Sequence, residues 1–121
     1  MSDTINYTLT VKKPWGYEKI WAHTDKYVGK VLHINSGHRL SEQFHRVKDE
    51  TIYVLSGELR LELDGGTDIL YLGEGESYRV SPGRVHRFVA PEDQPDVVLM
   101  EVSTPELDDV VRTEDDYDRA N

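Results

Sequence analysis

The chain has 121 residues, 37% hydrophobic and 31% charged, with no cysteine and a formal charge of −9. That length fits a single domain, 1–121, and the absence of cysteine excludes a disulfide framework and a thiolate metal site. No apolar run approaches the roughly 20 residues a membrane helix needs, and the acidic balance argues against nucleic acid, whose phosphates call for a basic patch.

The chain opens on residues 1–10, which lack the basic start and apolar stretch of a secretory signal and the Arg-rich character of a transit peptide; this predicts a cytoplasmic protein with no membrane association. Short alternating runs follow, and they predict strands over 16–22, 27–35, 40–46, 51–55, 58–63, 68–72, 77–80, 86–89 and 97–103. Turn residues punctuate them, among them Ser36-Gly37, Ser56-Gly57, Gly73-Glu74-Gly75 and Ser81-Pro82-Gly83. Strands at about ten-residue spacing fit an all-β double-sheet jelly roll. Its core is expected over residues 11–104. The segment 105–121 carries seven acids against Arg112 and Arg119, a net of −5 that leaves −4 for the rest. It is read as a short helix or an arm laid across the barrel, and as a solubilising cover. A locally positive pocket for a small anion is therefore compatible with the acidic total, because distant charge is screened.

Several conspicuous side chains have an ordinary structural reading. Trp15, Tyr17 and Trp21 read as core or dimer-interface aromatics, His23 and His38 as turn residues, and His33 as a strand-face residue held by a backbone carbonyl or solvent. Lys30 alternates with Leu32 and Ile34, so it points into the barrel.

Four side chains carry a metal-binding pattern. Gln43 and His45 stand two apart on one strand and so share a face. Glu50 follows after a bend, and His86 comes just after the Pro82-Gly83 turn, which can aim it back into the barrel. Two imidazoles and a carboxylate leave coordination positions open for water or substrate, which suits chemistry more than structure.

These residues also carry a resemblance. Gly37, Gln43, His45, Glu50 and Gly57 keep the spacing of the first cupin motif, with Gln43 where the first His is expected. Gly75, Ser81, Gly83, His86 and Ala90 keep the register of the second, with Ser81 and Ala90 departing from it and Pro82 shifted by one. Within the cupins the chain resembles the type II mannose-6-phosphate isomerase group, including the isomerase domain fused to mannose-1-phosphate guanylyltransferases. Pro14-Trp15-Gly16 resembles that group's opening "PWG". Arg39-Leu40-Ser41-Glu42-Gln43-Phe44-His45 resembles its "RLSLQ-x-H" strand, which already has Gln in place of the first His. Asp108-Asp109-Val110-Val111-Arg112 and Asp115-Asp116-Tyr117-Asp118-Arg119 resemble its closing "EDDIVR...D-x-YGR". One departure bears on substrate choice: Lys48 stands where the group has Arg, which turns a bidentate fork into a point charge.

The resemblance implies a cupin barrel holding one divalent metal ion (zinc, manganese, iron, nickel or cobalt) through Gln43, His45, Glu50 and His86. It implies interconversion of mannose 6-phosphate and fructose 6-phosphate through an enediolate. The sequence offers Glu50, Lys48, His33 and Tyr53 for the catalytic steps, and Lys30, Lys48, Arg39, Arg84 and Arg87 as anchors for a phosphorylated sugar. Two other classes fit the same residues: a non-catalytic cupin that binds a sugar or other small metabolite, and a non-haem metal-dependent dioxygenase. A homodimer is expected, because an open sheet edge is unsafe alone.

Overall fold

Alternation is what builds this molecule. In the computed structural model, which describes residues 8–119, the alternating runs become β2 (Gly16–His23), β3 (Val28–Ile34), β4 (Glu42–Phe44), β5 (Glu50–Ser56), β6 (Leu59–Leu63), β7 (Asp68–Leu72), β8 (Ser77–Val80), β9 (His86–Val89) and β10 (Val97–Ser103). They are flanked by β1 (Leu9–Lys13) and β11 (Val111–Glu114). Most of the opening stretch read for targeting signals lies outside the described residues.

The strands pair antiparallel in two sheets, in the order β1-β2-β3-β10-β5-β8 and β11-β4-β9-β6-β7. This is the expected jelly-roll barrel. Inward positions of both sheets meet in one apolar cluster, with Leu32, Ile34, Ile52, Val54, Val97 and Leu99 from the first sheet facing Leu59, Leu61, Leu63 and Phe88 from the second. Each such side chain contributes about 1.5–3 kcal/mol on leaving water.

Two elements differ from expectation. β1 was not predicted; it is an exposed edge strand whose pairing with β2, Leu9↔Ile20 through Lys13↔Gly16, sets it in the first sheet. The acidic C-terminal segment is an arm and contains a strand, not a helix: β11 pairs with β4 through Val111↔Phe44 and Arg112↔Gln43. The adjacent β-branched Val110 and Val111 favour extended backbone. Nor is the segment merely a solubilising cover. Asp116 takes a two-pronged hydrogen bond from Arg39 (2.7 and 2.8 Å), Asp115 binds Arg119, and Glu114 and Asp116 both face Arg87.

Among the described residues no helix is long and apolar enough to cross a membrane.

Candidate metal centre and ligand cavity

The inward face of the barrel changes character along its strands. On β3 the inward positions run Ile34, Leu32, Lys30; on β5 they run Val54, Ile52, Glu50; on β10 they run Val97, Leu99, Glu101. A step of two residues keeps the side chain on the same face, so each strand hands the core over to a charged residue at the same end. The second sheet does likewise with Phe88 and His86 on β9, and Gln43 on β4 lies opposite His86. His45 follows β4.

His45, Glu50 and His86 are each almost fully buried, and one ligand atom from each falls within 4.8 Å of the others. Glu50 Oε1 is 3.3 Å from Nε2 of both histidines. The other ring nitrogens are committed elsewhere: His45 Nδ1 donates to the Asp109 carbonyl, and His86 Nδ1 donates to the Arg84 carbonyl at 2.8 Å. A carbonyl only accepts, so each Nδ1 carries the proton, and in the neutral ring Nε2 is left as the lone-pair donor. His86 Nε2 is buried without a hydrogen-bond partner, and Glu50 Oε2 has only its ion pair with Lys48, so both keep a lone pair for a group other than protein. Two imidazole nitrogens and a carboxylate are a donor set suited to a divalent transition metal. The residues present fit such an ion.

Local backbone chemistry holds these donors in place. Gly83 has φ +83°, a left-handed turn position, and its N–H donates to the His45 carbonyl at 2.6 Å, tying the turn before His86 to the other histidine. The Asp109 carboxylate accepts from the backbone N–H groups of Arg46, Val47 and Lys48 at 2.7–3.0 Å. Those bonds hold its carboxyl down at about 2 and fix the bend between His45 and Glu50.

Beside the donors lies a cavity of about 340 Å³. The three donors are not in its lining, but Lys48 and Glu101 are, and they connect the two. Lys48 Nζ is 3.3 Å from Glu50 Oε2 and 3.4 Å from Glu101 Oε2. Lys30 Nζ continues the chain, 3.8 Å from Glu101 Oε2 and 3.4 Å from Glu18 Oε2. Burial alone would depress the Lys48 ammonium; the facing Glu101 and Glu50 carboxylates outweigh it and raise its pKa. Burial would also raise Glu50, yet the adjacent His45 and His86 rings, with Lys48 nearby, hold it well below the usual range. Glu101 goes the other way: burial and the Glu50 charge push it up to about 8.

The Cupin domain family model matches residues 30–103, which contain all four residues of the metal pattern. The chain belongs to the cupin family. Among its relatives, the mannose-1-phosphate guanylyltransferase of Escherichia coli (strain K12) is 39% identical over 113 residues, covering 90% of this chain and 23% of that protein. The xanthan biosynthesis protein XanB of Xanthomonas campestris pv. campestris (strain B100) is 32% identical over 112 residues, with the same shares covered. The cupin thus spans about a quarter of the length of the curated relatives it matches. Among solved structures, KdgF from Halomonas sp. superposes with a TM-score of 0.72 at 26% identity, covering 86% of this chain and 90% of that one. An RmlC-like cupin from Shewanella frigidimarina NCIMB 400 does so at 0.74 and 21%, covering 89% and 96%; that second likeness bears on the fold alone.

The residues nominated from the sequence are dispersed differently than their spacing implied. His45, Glu50 and His86 come together, Gln43 lines the adjoining cavity with its Oε1 taken by Ser41 Oγ at 2.7 Å, and Lys30 and Lys48 line it too. His33 does not reach the cavity; it pairs with Asp96 at 2.9 Å and stacks on Tyr17 outside the barrel. Tyr53 points outward and is 44% exposed, since the position between inward Ile52 and Val54 faces away. Among the anchors, Arg39 is occupied by Asp116, and Arg84 by Asp64 at 2.9 and 3.1 Å on the surface. Arg87 is buried, donates to the Leu40 carbonyl at 2.8 Å and binds the C-terminal arm. Glu50, its carboxyl held low between two histidines and a lysine, belongs to the group that could hold a metal. Glu101 belongs to no motif in the sequence, although the alternation that turns Lys30 inward turns it inward too, after Val97 and Leu99.

Proposed function

We propose that this cupin is a metal-dependent aldose–ketose isomerase acting on a phosphorylated sugar, with mannose 6-phosphate and fructose 6-phosphate as the pair. The observation that carries the reading is the placement of Glu101, a buried carboxylate that lines the cavity while adjoining the His45–Glu50–His86 donors. The mannose-1-phosphate guanylyltransferase relatives support the sugar-phosphate class. The other nominated residues keep narrower roles: Gln43 as fourth ligand, Lys30 and Lys48 as the charges that hold Glu101, and the described chain as one domain.

A divalent ion held by His45, His86, Glu50 and Gln43 would supply Lewis acidity toward the oxygens on two adjacent sugar carbons. Aldose and ketose differ by one proton moved between those carbons and one moved between their oxygens. Glu101 takes the proton from C2 as the electron pair of that C–H bond enters the enediolate double bond, and returns it to C1. Lys48, 3.4 Å from Glu101, stabilises the charged carboxylate before it takes the proton and after it returns it. No oxidant enters the balance.

The test is an isomerase assay on mannose 6-phosphate with a panel of divalent metals, run beside His45→Ala. Because two histidines and a carboxylate also serve oxygenases, it is run without oxygen. Turnover under nitrogen that His45→Ala abolishes is the expected result. Absence of turnover with every metal and every hexose phosphate would overturn the proposal and favour a binding role. The reading includes a cytoplasmic location and a homodimer joined through the outer face of the first sheet, where Trp21, Val31 and Met100 lie together and Trp21, Tyr53 and Val102 are exposed.

A further inference from the structure

Five cations line the cavity, and four of them already have carboxylate partners. Lys13 and Lys30 face Glu18, Lys30 and Lys48 face Glu101, and Arg119 is held by Asp115 at 2.8 Å. Arg112 is different. Among the described residues its guanidinium has no ion pair and no hydrogen bond, and its Nε is shut off from solvent. A dry donor left unpaired is costly. Asp108, the other unpaired charge in the lining, is exposed to solvent and forms no ion pair with Arg112 among the described residues.

The position of Arg112 in the sheet is also informative. It pairs with Gln43 across β11 and β4, and Gln43 pairs with His86 across β4 and β9. Cross-strand partners share a face, and two inter-strand steps separate Arg112 from His86 by roughly 10 Å at the backbone. A small elongated ligand reacting beside the donors would present its far end to Arg112. A guanidinium fork suits a tetrahedral oxyanion, which accepts two parallel hydrogen bonds.

We propose that Arg112 is the seat of the ligand's anionic group, a phosphomonoester, and that it sets the preference for phosphorylated over neutral sugars. The proposal deepens the sugar-phosphate reading and rests on it, but binding tests it separately from turnover. Isothermal titration of the metal-loaded protein with mannose 6-phosphate, inorganic phosphate and mannose is the first arm. Both phosphorylated probes are expected to bind, and mannose to bind at least tenfold more weakly than mannose 6-phosphate. In Arg112→Ala the affinity for mannose 6-phosphate is expected to fall about 10- to 100-fold with metal content unchanged, while affinity for mannose stays as it was. Arg112→Lys, which keeps the charge and loses the fork, is expected to lie between; it also serves as the test should the alanine variant fail to fold. Where wild type turns the sugar over, KM is expected to rise more than kcat falls.

Equal affinity of wild type and Arg112→Lys for mannose 6-phosphate, together with an Arg112→Ala variant that is unimpaired or unfolded, would overturn the assignment. So would the absence of phosphate binding by wild type. Phosphate binding that depends on Arg112 in a protein without isomerase activity would sustain the seat and remove the reaction.

Discussion

The two ends of this barrel are built from the same strands and do opposite things. At one end Ile34, Val54, Val97 and Leu59 close a dry core; at the other, four residues along the same strands, Lys30, Glu50 and Glu101 take the equivalent inward positions. Pleat and strand spacing are common to both. What differs is only the chemistry of the side chain at each step of two. The apolar end gains free energy from burial itself, whereas each buried charge costs several kcal/mol before its partners offset it. The charged end is therefore a standing cost, held in check by pairing each carboxylate with ammoniums or imidazoles and supported by the apolar end.

The sharpest way to break the comparison is to truncate one residue from each end. In His86→Ala the donor set loses a nitrogen, and metal content measured by elemental analysis is expected to fall to background, with activity lost. Leu61→Ala, in the second sheet of the apolar end, is expected to cost about 2–5 kcal/mol in urea unfolding while metal stoichiometry is retained. A Leu61→Ala protein that still folds yet binds no metal would show that the two ends are not separable.

How much of this division was legible in the sequence varies with its physical origin. Strands, turns and the donors His45, Glu50 and His86 were legible because alternation and spacing are local properties, and so was the inward turn of Lys30. Glu101 was legible in principle by the same alternation, but a single acid at a strand end carries no local mark of its function; the mark is its position opposite Lys30 and beside Glu50, which only folding creates. Arg39, Arg84 and Arg87 look unpaired in the sequence for the converse reason. A basic residue in sequence does not disclose the carboxylate that will neutralise it, and Asp116 and Asp64 lie 77 and 20 residues away. The C-terminal arm was misread because its acids look like a solvated tail until Arg39, Arg87 and the bend at Arg46–Lys48 are brought to them.

A milder break replaces the charge of Glu101 and leaves its shape. Glu101→Gln is expected to lower kcat about 10²- to 10⁴-fold with metal content retained. It also carries a pH signature in chelator-treated protein. With its pKa pushed up to about 8, Glu101 keeps a proton in the folded state that the unfolded chain has already released. Stability should therefore fall as pH rises from the ordinary carboxylate range to about 8. Lys30, Lys48 and Glu50 face this group and set the size of the effect; Glu50, held low, titrates only at more acid pH. Urea unfolding at pH 5 and pH 8 should show that decline in wild type and a flatter profile in Glu101→Gln. An equal decline in both would assign the dependence to another group.

The smallest expected effect tests the comparison from outside the barrel. Arg84 has good two-pronged geometry to Asp64, but the pair lies at the surface, where water and salt screen it and such pairs contribute little. Arg84→Ala keeps the backbone carbonyl that holds His86 Nδ1, so metal content and turnover should match wild type and the urea midpoint should barely move. A large loss of activity would mean that the surface pair reaches the metal centre through the Ser81–His86 turn. The line between the charged end and its surroundings would then lie outside the barrel wall, and Arg84 would join Gly83 as part of the apparatus that orients His86.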